Sequence, residues 1–377
     1  YFGIERGLKP NPLQAGCHDL SRPADKSCLV SILIPFRDRV ELTRACVDSI
    51  KLNAGKDCTY EIVLIDNGST ESATREWINE AIKEDNIQYI RLDEEFNYSR
   101  LNNKARQLCR GDFLLFLNND IKFISDSVLN VLLDPFAHPK TVAVGSRLNY
   151  PDGSIQHQGV VIIPGERRCV LEPGKHLDEQ EVIASLLPLR TQEEFSAASA
   201  ACLMVKAEWF DFVGGFDEKL AVVFNDVDLC LRLRDAGGSV VVTPHATITH
   251  YESISRGKDQ VGFAWARHQR ESGRLRLKHK TIYAQGDPLI SPLLHHHSTR
   301  YEPVLKQVAP LRPAREEVLL TWRRPLRTND KRIPLIFAQY ESNNDKPIRS
   351  DILDLLRKYR RYFYVQVVAA TPSLLHH

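Results

Sequence analysis

Short apolar segments alternate with helix-like segments through the first third of the chain. Residues 28–35 (CLVSILIP) and 60–65 (YEIVLI) are apolar runs rich in β-branched residues, and each is followed by apolar residues at helical spacing. Residues 112–117 (DFLLFL) form a nearly continuous apolar run, which is typical of a strand buried on both faces. Strands that alternate with helices pair in parallel. The pattern therefore predicts an α/β fold with a Rossmann-like, mostly parallel sheet flanked by helices.

Polar side chains directly follow three of these predicted elements. Arg37 stands just after the first strand, residues 66–68 (DNG) after the second, and residues 118–120 (NND) after the third of these runs. In a doubly wound sheet, ligands bind at the carboxyl ends of the strands. We therefore expect these polar residues to gather at one ligand site.

The length of the chain indicates more than one folded unit. A chain of 377 residues exceeds an average domain, and 43% hydrophobic with 26% charged residues is typical of a globular protein. The strand–helix–strand pattern restarts near residue 333, but one β-α-β unit cannot bury its own faces. We expect an N-terminal arm at 1–26, a large α/β domain at 27–290, a linker at 291–332, and at 333–377 a β-α-β extension that begins a truncated second α/β domain of a longer chain.

Charge and cysteine content argue against several classes of protein. A net charge of +2 gives no long-range field of the kind that nucleic-acid-binding proteins have. The eight cysteines form no C-x-x-C pair, so we expect reduced thiols in the cytosol. The apolar stretch 195–205 is shorter than the roughly 20 residues of a membrane span, and residues 1–26 lack the apolar core of a signal peptide. We expect a cytoplasmic protein, with peripheral association at the inner face of the membrane left open.

The sequence has neither the G-x-G-x-x-G motif nor the P-loop, which hold phosphates in dinucleotide enzymes and nucleotide triphosphatases. Asp120, with the amides of Asn118 and Asn119, could instead offer oxygen ligands to Mg²⁺ or Mn²⁺ bridging a diphosphate. The same residue types also populate turns for purely conformational reasons. From the triplet alone, both interpretations stay open.

Two further polar residues lie later in the chain. Asp226 falls in the first turn of a predicted helix, where backbone N–H groups favour the charged carboxylate that a general base requires. A simple helix cap is the alternative. His250 follows a β-branched strand and could complete a Mn²⁺ site beside Asp120, although a lone histidine there is usually structural.

Seven sequence blocks occur in one order along the chain. In these blocks the chain resembles the family 2 glycosyltransferases of the GT-A fold, particularly bacterial enzymes that assemble surface polysaccharides such as O-antigen. The blocks are SILIPFRDR (31–39), IVLIDNGSTE (62–71), FNYSRLNN (96–103), GDFLLFLNND (111–120), GGFDE (214–218), NDVDLCLRLRDAG (225–237) and HYESISRG (250–257).

The resemblance implies metal-dependent, inverting transfer of a hexose or deoxyhexose. The donor would be a nucleotide-diphosphate sugar, and the acceptor a hydroxyl of an oligosaccharide or lipid-linked glycan. Asp226 would be the catalytic base, while Asp120 and His250 would bind Mn²⁺ or Mg²⁺. Asn118 stands where many relatives carry Asp or Asn, and Arg256 would clamp the diphosphate from a loop.

The resemblance also implies contacts with both substrates. Asp66 would contact the nucleotide base, whereas Asp228 would either orient the acceptor or only cap or solvate its helix. Gly215 would let the backbone approach a substrate closely, unless it forms only a tight turn. The other residues expected to line the donor site are Pro35, Phe36, Arg37, Asn97, Ser99, Asn103 and Asn119.

Two other functions compete with this interpretation. A non-catalytic module of a larger polysaccharide synthase would bind a nucleotide sugar without turning it over. A sugar-1-phosphate nucleotidyltransferase would release pyrophosphate, but its glycine-rich N-terminal loop with Arg and Lys is missing from this sequence. The donor, the acceptor and the linkage depend on a few pocket contacts that sequence alone does not define.

Overall fold

The computed structural model describes residues 28–163, 169–184, 190–251, 263–290 and 299, together with the backbone of three later strands. These parts form two units that divide near residue 290. The predicted arm at 1–26 and the predicted helix at 348–362 lie outside the described residues.

Strands and helices alternate through the first half of the larger unit. Two short 3₁₀ helices, Arg106–Leu108 and Asp134–Ala137, follow α3 and α4. The elements are β1 (Leu29–Phe36), α1 (Val40–Asn53), β2 (Thr59–Asp66), α2 (Ser72–Ala81), β3 (Ile87–Arg91), α3 (Tyr98–Ala105), β4 (Phe113–Leu117), β5 (Ile121–Phe123), α4 (Val128–Leu133), β6 (Thr141–Ser146), β7 (Leu148–Asn149) and β8 (Ile155–His157).

The second half of this unit contains shorter strands and the longest described helix. Its elements are β9 (Val161–Ile162), β10 (Val170–Leu171), α5 (Glu179–Ala184), β11 (Glu193–Phe195), β12 (Cys202–Lys206), α6 (Ala207–Phe212), α7 (Asn225–Asp235), β13 (Ser239–Thr243), β14 (Ile248–His250), α8 (Phe263–Lys278) and α9 (Lys280–Gln285). None of the helices within the described ranges is long and apolar enough to cross a membrane.

The central sheet has eight strands in the order β11-β13-β6-β12-β4-β1-β2-β3. The neighbours β4, β1, β2 and β3 are parallel, as the alternating pattern predicted, and so are β13 and β6. Strand β12 runs antiparallel between β4 and β6, and β11 runs antiparallel at the edge. The sequence did not reveal these two reversals, because the strand–helix pattern is weak between residues 150 and 195 and β11 has only three residues.

Both faces of the central strands are covered. The consecutive residues Leu33 and Ile34 of β1 are fully buried, as are Val63 and Leu64 of β2. Successive side chains point to opposite faces of a sheet, so burial of neighbours requires packing on each side. This burial explains why these strands read as continuous apolar runs in the sequence.

Buried cysteines contribute to the same core. Burial raises the pKa of Cys109, Cys202 and Cys230 to about 12, so these thiols are uncharged near neutral pH and act as small apolar side chains. All seven cysteines within the described ranges are free thiols.

The smaller unit contains the two strands predicted near the end of the chain. Strand β16 (Ile333–Tyr340) pairs in parallel with β17 (Phe363–Ala370). A third strand, β15 (Val318–Thr321), pairs antiparallel with β16. This strand lies inside the segment that the sequence predicted to be a linker. The prediction missed it because a strand of four residues is too short to show an alternating pattern.

Phe116 of β4 tests how strongly this core stabilises the fold. Its fully buried ring contacts Phe210 (centroids 5.1 Å apart) and Phe216 (4.8 Å). We expect Phe116→Ala to lower the free energy of unfolding by about 3–5 kcal/mol, because it leaves a cavity in a packed core. Leu52, which is 81% exposed on α1, is the control, and Leu52→Ala should change stability by less than about 0.5 kcal/mol. Urea denaturation of both variants measures this, and equal losses would contradict the core assignment.

Candidate active site

Strand β14 brings His250 next to Asp120. It pairs antiparallel with β5, and His250 lies opposite Ile121 in this register. The backbone N–H of Tyr251 also donates to the carbonyl oxygen of Asp120 at 3.0 Å. As a result His250 Nε2 lies 3.1 Å from Asp120 Oδ1. Both residues are buried, so the small sheet fixes their relative position.

Gln156 of β8 determines which nitrogen of His250 faces Asp120. Gln156 Nε2 donates to the carbonyl oxygen of His250 at 3.4 Å, and this orients the amide so that its Oε1 lies 2.6 Å from His250 Nδ1. Nδ1 therefore carries the proton that it donates to Gln156. In the neutral ring this leaves a lone pair on Nε2, which also lies 3.3 Å from Asn118 Nδ2.

The pair formed by Asp120 and His250 fits a divalent cation. Asp120 Oδ1 is buried, and among the described residues it accepts no hydrogen bond. Two acceptor atoms held this close repel each other unless a proton or a cation lies between them. Two ligands in adjacent positions around an octahedral ion, with bonds of roughly 2.1 Å, are themselves about 3 Å apart. A carboxylate oxygen beside an imidazole nitrogen is a donor set that Mn²⁺ accepts.

The two asparagines before Asp120 contact different parts of the domain. Asn119 is buried and its Nδ2 donates to Thr43 Oγ1 at 3.1 Å, so its side chain fixes helix α1 to the end of β4. The backbone N–H of Asn118 donates to the carbonyl oxygen of Ala201 at 3.0 Å. Contact between Asn119 and the donor stays a prediction.

Asp226 lies in the first turn of α7 and is half-buried. Its Oδ2 accepts from the N–H of Ala200 at 3.0 Å, and its Oδ1 accepts from the N–H of Val227 at 2.8 Å. Burial raises the pKa of this carboxyl and outweighs those two hydrogen bonds, which lower it. The N-cap of α7 is Phe224, without a side-chain cap bond, so Asp226 does not cap the helix. Its carboxylate instead contacts the next N–H of α7 and the loop at 199–201.

That loop connects Asp226 with the pair Asp120 and His250. Ala200 donates to Asp226, and the next residue, Ala201, accepts from Asn118, whose side chain contacts His250. The three residues that were predicted to carry the chemistry therefore lie around one short stretch of backbone, and not in separate regions.

Asp228 is fully buried among cationic side chains. Its Oδ1 lies 2.8 Å from His279 Nε2 and 2.7 Å from Lys278 Nζ, and its Oδ2 accepts from Arg232 Nε at 2.8 Å. Burial alone would raise the pKa of Asp228, but the hydrogen bond from His279 and the charges of Arg232 and Lys278 hold it well below its usual range. This network joins α7 to α8 and α9, which favours a structural role over acceptor binding.

The polar residues of block 96–103 hold the loop at 214–220. Asn97 is the N-cap of α3, and its Oδ1 accepts from the N–H of Arg100 at 3.0 Å. Three side chains of this block donate to loop carbonyl oxygens: Asn97 to Glu218 (2.9 Å), Ser99 to Leu220 (2.5 Å) and Asn103 to Phe216 (2.9 Å). The sequence assigned Asn97, Ser99 and Asn103 to the donor site, whereas their described contacts are with this loop.

Gly215 belongs to the same framework. Its φ is +70°, and a Cβ at this position would lie 2.7 Å from Asn103 Oδ1. Only glycine combines this backbone conformation with so close a neighbour. The requirement for glycine is thus explained by a tight turn against Asn103.

The predicted base-binding residues lie at the ends of β1 and β2. Asp66 is fully buried, and it accepts from the N–H of Ser69 (2.7 Å), the hydroxyl of Tyr89 (2.9 Å) and Arg91 Nη1 (3.0 Å). Contact between Asp66 and a nucleotide base stays a prediction. Pro35 is buried and Arg37 is exposed.

Phe36 faces the core. Its ring packs edge-on against Trp77 with centroids 6.4 Å apart. Its aromatic ring therefore supports the strand end from within the domain. Arg256, the predicted diphosphate clamp, lies outside the described residues.

The sequence did not identify the residues that position the site residues through hydrogen bonds. Gln156 lies where the strand–helix signal was weak, so nothing marked it as a partner of His250. Glu271 of α8 is also buried, and its Oε2 accepts from the N–H groups of Val222 and Val223 at 3.2 and 2.7 Å. These two residues precede the start of α7, so Glu271 fixes the approach to Asp226.

Comparison with known proteins identifies a matching family. Residues 31–192 match the sequence profile described as Glycosyl transferase family 2. This part of the chain belongs to glycosyltransferase family 2. The matched range includes Asp120 and Gln156, while Asp226 and His250 lie beyond it.

Relatives of this chain include longer proteins. A Sinorhizobium fredii protein named uncharacterized protein y4gI is 38% identical over 278 residues, which are 72% of this chain and 30% of that protein. The O-antigen biosynthesis protein RfbC of Myxococcus xanthus is 33% identical over 67% of this chain and 19% of its own length. The N-acetylglucosaminyl-diphospho-decaprenol L-rhamnosyltransferase of Mycobacterium tuberculosis is 27% identical over 58% of this chain and 75% of that enzyme. The chain thus spans less than a third of the first two relatives.

A solved structure shares the fold. The crystal structure of GalNAc-T7 with UDP, GalNAc and Mn²⁺ gives a TM-score of 0.56 over 68% of this chain and 50% of that chain. The sequence identity is 15%, so the likeness concerns the fold alone. The predicted GT-A α/β fold is confirmed.

Asp228 provides a test of the network behind α7. We expect Asp228→Asn to lower the free energy of unfolding at pH 7 by about 3 kcal/mol, because it removes the anion from a buried ionic cluster. The pKa of Asp228 is lowered in the folded protein, so its stabilising effect is present above the unfolded-state pKa of about 4 and is lost as pH falls below it. The difference in free energy of unfolding between the wild type and Asp228→Asn should therefore become smaller from pH 7 to pH 3, as measured by urea titration.

The exposed residue Asp57 supplies the matched control. Asp57→Asn should leave stability nearly unchanged at both pH values. A deficit of Asp228→Asn that stays constant down to pH 3 would argue against a charged, cation-paired Asp228.

Proposed function

We propose that this chain is the catalytic part of an inverting glycosyltransferase of cell-surface polysaccharide synthesis. It would move a hexose or deoxyhexose from a nucleotide-diphosphate sugar to a hydroxyl of a glycan acceptor. The observation that carries the proposal is the contact of Asp120 Oδ1 with His250 Nε2 at 3.1 Å, joined by one loop to Asp226. Membership of glycosyltransferase family 2 supports it.

In this proposal Asp120 and His250 hold Mn²⁺ or Mg²⁺. When bound, the ion neutralises negative charge that develops on the leaving diphosphate. Within the described ranges, no group of three or more His, Cys, Asp and Glu side chains could bind a metal. Two protein ligands would leave positions open for diphosphate oxygens and water, and Asn118 lies next to this pair.

Asp226 would act as the general base. Each of its carboxylate oxygens accepts one backbone hydrogen bond and keeps a further lone pair for an acceptor hydroxyl. The hydroxyl proton passes to Asp226 as the acceptor oxygen bonds to the anomeric carbon, and the bond from that carbon to the diphosphate oxygen breaks. A single displacement inverts the anomeric centre. The raised pKa of Asp226 makes it a stronger base than an ordinary carboxylate.

The names of the relatives suggest the acceptor class. One relative is named for an N-acetylglucosaminyl-diphospho-decaprenol acceptor and another for O-antigen biosynthesis. We therefore propose a lipid-linked glycan as the acceptor. A cytoplasmic location at the inner face of the membrane, and contacts of Arg37, Asp66 and Arg256 with the donor, remain predictions from the sequence.

Metal dependence can be measured through donor binding. We expect UDP-N-acetylglucosamine, UDP-glucose or dTDP-L-rhamnose to raise the melting temperature with Mn²⁺ present, since a ligand at 100 times its Kd stabilises by about 2.7 kcal/mol. Asp120→Asn and His250→Ala should abolish the part of this rise that depends on Mn²⁺. Asp57→Asn should keep it. If Asp120→Asn responds to Mn²⁺ as the wild type does, the proposed ligand is wrong.

The role of Asp226 requires a transfer assay. We expect Asp226→Asn to lower kcat by about 10²- to 10⁴-fold, the usual effect of losing a positioned base, while the donor-induced rise in melting temperature is retained. The assay follows sugar transfer to a synthetic N-acetylglucosaminyl-diphospho-polyprenol. Asp57→Asn, which changes an exposed carboxylate, is the control and should retain the wild-type kcat. A wild-type protein that binds a donor but transfers nothing would instead indicate the non-catalytic module.

A further inference from the structure

We infer that His157 is a positioning residue, which sets the hydrogen bonding of Asp226 through the backbone of residues 199–201. This inference rests on the proposed role of Asp226 as the base. His157 ends strand β8, follows Gln156 directly and is 2% exposed.

The hydrogen bonds of His157 define its protonation. Its Nε2 accepts from the backbone N–H of Gly159 at 3.2 Å and from that of Ser199 at 3.1 Å. A ring nitrogen that accepts hydrogen bonds carries no proton, so the proton of the neutral ring is on Nδ1. Nδ1 lies 3.4 Å from Glu172 Oε1.

Glu172 keeps His157 in this tautomer. Burial by itself would raise the pKa of Glu172, but the hydrogen bond from His157 and the ammonium group of Lys175, 2.6 Å away, lower it to about 2. Glu172 is therefore a charged acceptor near neutral pH. A charged acceptor at Nδ1 holds the proton there and leaves Nε2 free to accept from the two backbone N–H groups.

Three consecutive residues carry the effect of His157 to Asp226. Ser199 donates to His157, Ala200 donates to Asp226 Oδ2 at 3.0 Å, and Ala201 accepts from the N–H of Asn118 at 3.0 Å. The N–H groups of Ser199 and Ala200 lie in adjacent peptide planes that are joined by the φ and ψ angles of Ser199. His157 anchors the first of these N–H groups, and the hydroxyl of Tyr98 donates to the carbonyl oxygen of Ala200, so the plane between these two anchors has a narrower range of directions. The imidazole of His157 therefore helps to aim the N–H of Ala200 at the base.

Loss of the hydrogen bond from Ala200 would change the pKa of Asp226. The bond from Ala200 lowers the pKa of Asp226 against the effect of burial, so weakening it would raise the pKa further. The titratable groups that face Asp226 are His157 and Glu172 from neighbouring segments and Cys230 on its own helix. With more Asp226 protonated near neutral pH, the chemical step slows while the donor still binds at Asp120 and His250.

Two substitutions at one position test this inference. His157→Phe keeps the ring shape but removes the acceptor, whereas the amide oxygen of His157→Gln can still accept from Ser199. We expect His157→Phe to lower kcat by about 10- to 100-fold, the effect of a slightly misplaced catalytic group, and to move the acid limb of the kcat profile to higher pH. The donor KM should be unchanged. In His157→Gln, both kcat and the acid limb of the pH profile should lie close to those of the wild type.

The measurements use the full chain with the sugar nucleotide, from the three named above, that gives the largest Mn²⁺-dependent stabilisation. Release of the nucleoside diphosphate gives kcat and KM as functions of pH. Hydrogen exchange at Ser199 and Ala200 should be faster in His157→Phe and close to the wild type in His157→Gln. If His157→Phe fails to fold, Glu172→Gln serves instead, with a smaller shift of the acid limb in the same direction.

The outcomes separate this inference from the proposed function. If Asp226→Asn is inactive but His157→Phe retains the wild-type kcat and pH profile, the inference is overturned while the base assignment stands. A fall in kcat with an unmoved acid limb also overturns it, because that result indicates only a structural role. If Asp226→Asn remains active, the proposed function itself fails, whatever His157→Phe does.

Discussion

Asp120 Oδ1 and His250 Nε2 are held 3.1 Å apart by the pairing of two three-residue strands. Among the described residues, Asp120 Oδ1 accepts no hydrogen bond. His250 Nε2 lies next to the side-chain amide of Asn118. Neither observation explains why two acceptor atoms lie so close together. The small sheet supplies the rigidity, and Gln156 selects the nitrogen that faces the carboxylate. The proposed cation site would be preorganised, since the backbone register positions both side chains before any ion binds.

Many polar residues in the seven sequence blocks stabilise the fold around the residues that are proposed to carry the chemistry. The buried carboxylate of Asp66 is paired with Arg91, and Asp228 contacts Arg232, Lys278 and His279. Asn97 and Asn103 hold a loop by its carbonyl oxygens. Such buried polar groups need partners because an unpaired group in the interior costs about 1–3 kcal/mol. Their polarity therefore does not distinguish a substrate contact from a structural one.

Sequence periodicity predicted the parallel part of the sheet well. The apolar runs at 28–35, 60–65 and 112–117 correspond to β1, β2 and β4, and polar residues do follow their carboxyl ends. Strands of five to eight residues show a pattern, whereas those of two or three residues, such as β7, β8 and β14, are too short to show one. The sheet that unites Asp120 and His250 is made of such short strands, so their contact had to come from the resemblance.

The partners of the reactive groups were hidden for a different reason. Gln156 and His157 act through contacts with residues that are distant in the chain, and single residues carry no sign of such contacts. The same holds for Glu271, whose buried carboxylate appears in the sequence as one acid in a basic, exposed-looking helix. Candidates for the chemistry could be named from the sequence because few residue types can perform it, whereas supporting residues are defined by their contacts in the fold.

Helix α8 also determines how far the functional unit extends. Glu271 holds the backbone just before α7, while Arg274 and Lys278 bind Asp217 in the preceding loop. A shortened chain that ended after β14 would keep Asp120, Asp226 and His250, yet it would release the segment that leads into the base. We therefore expect the folded unit to extend beyond His250 at least to His279, which lies between α8 and α9 and contacts Asp228.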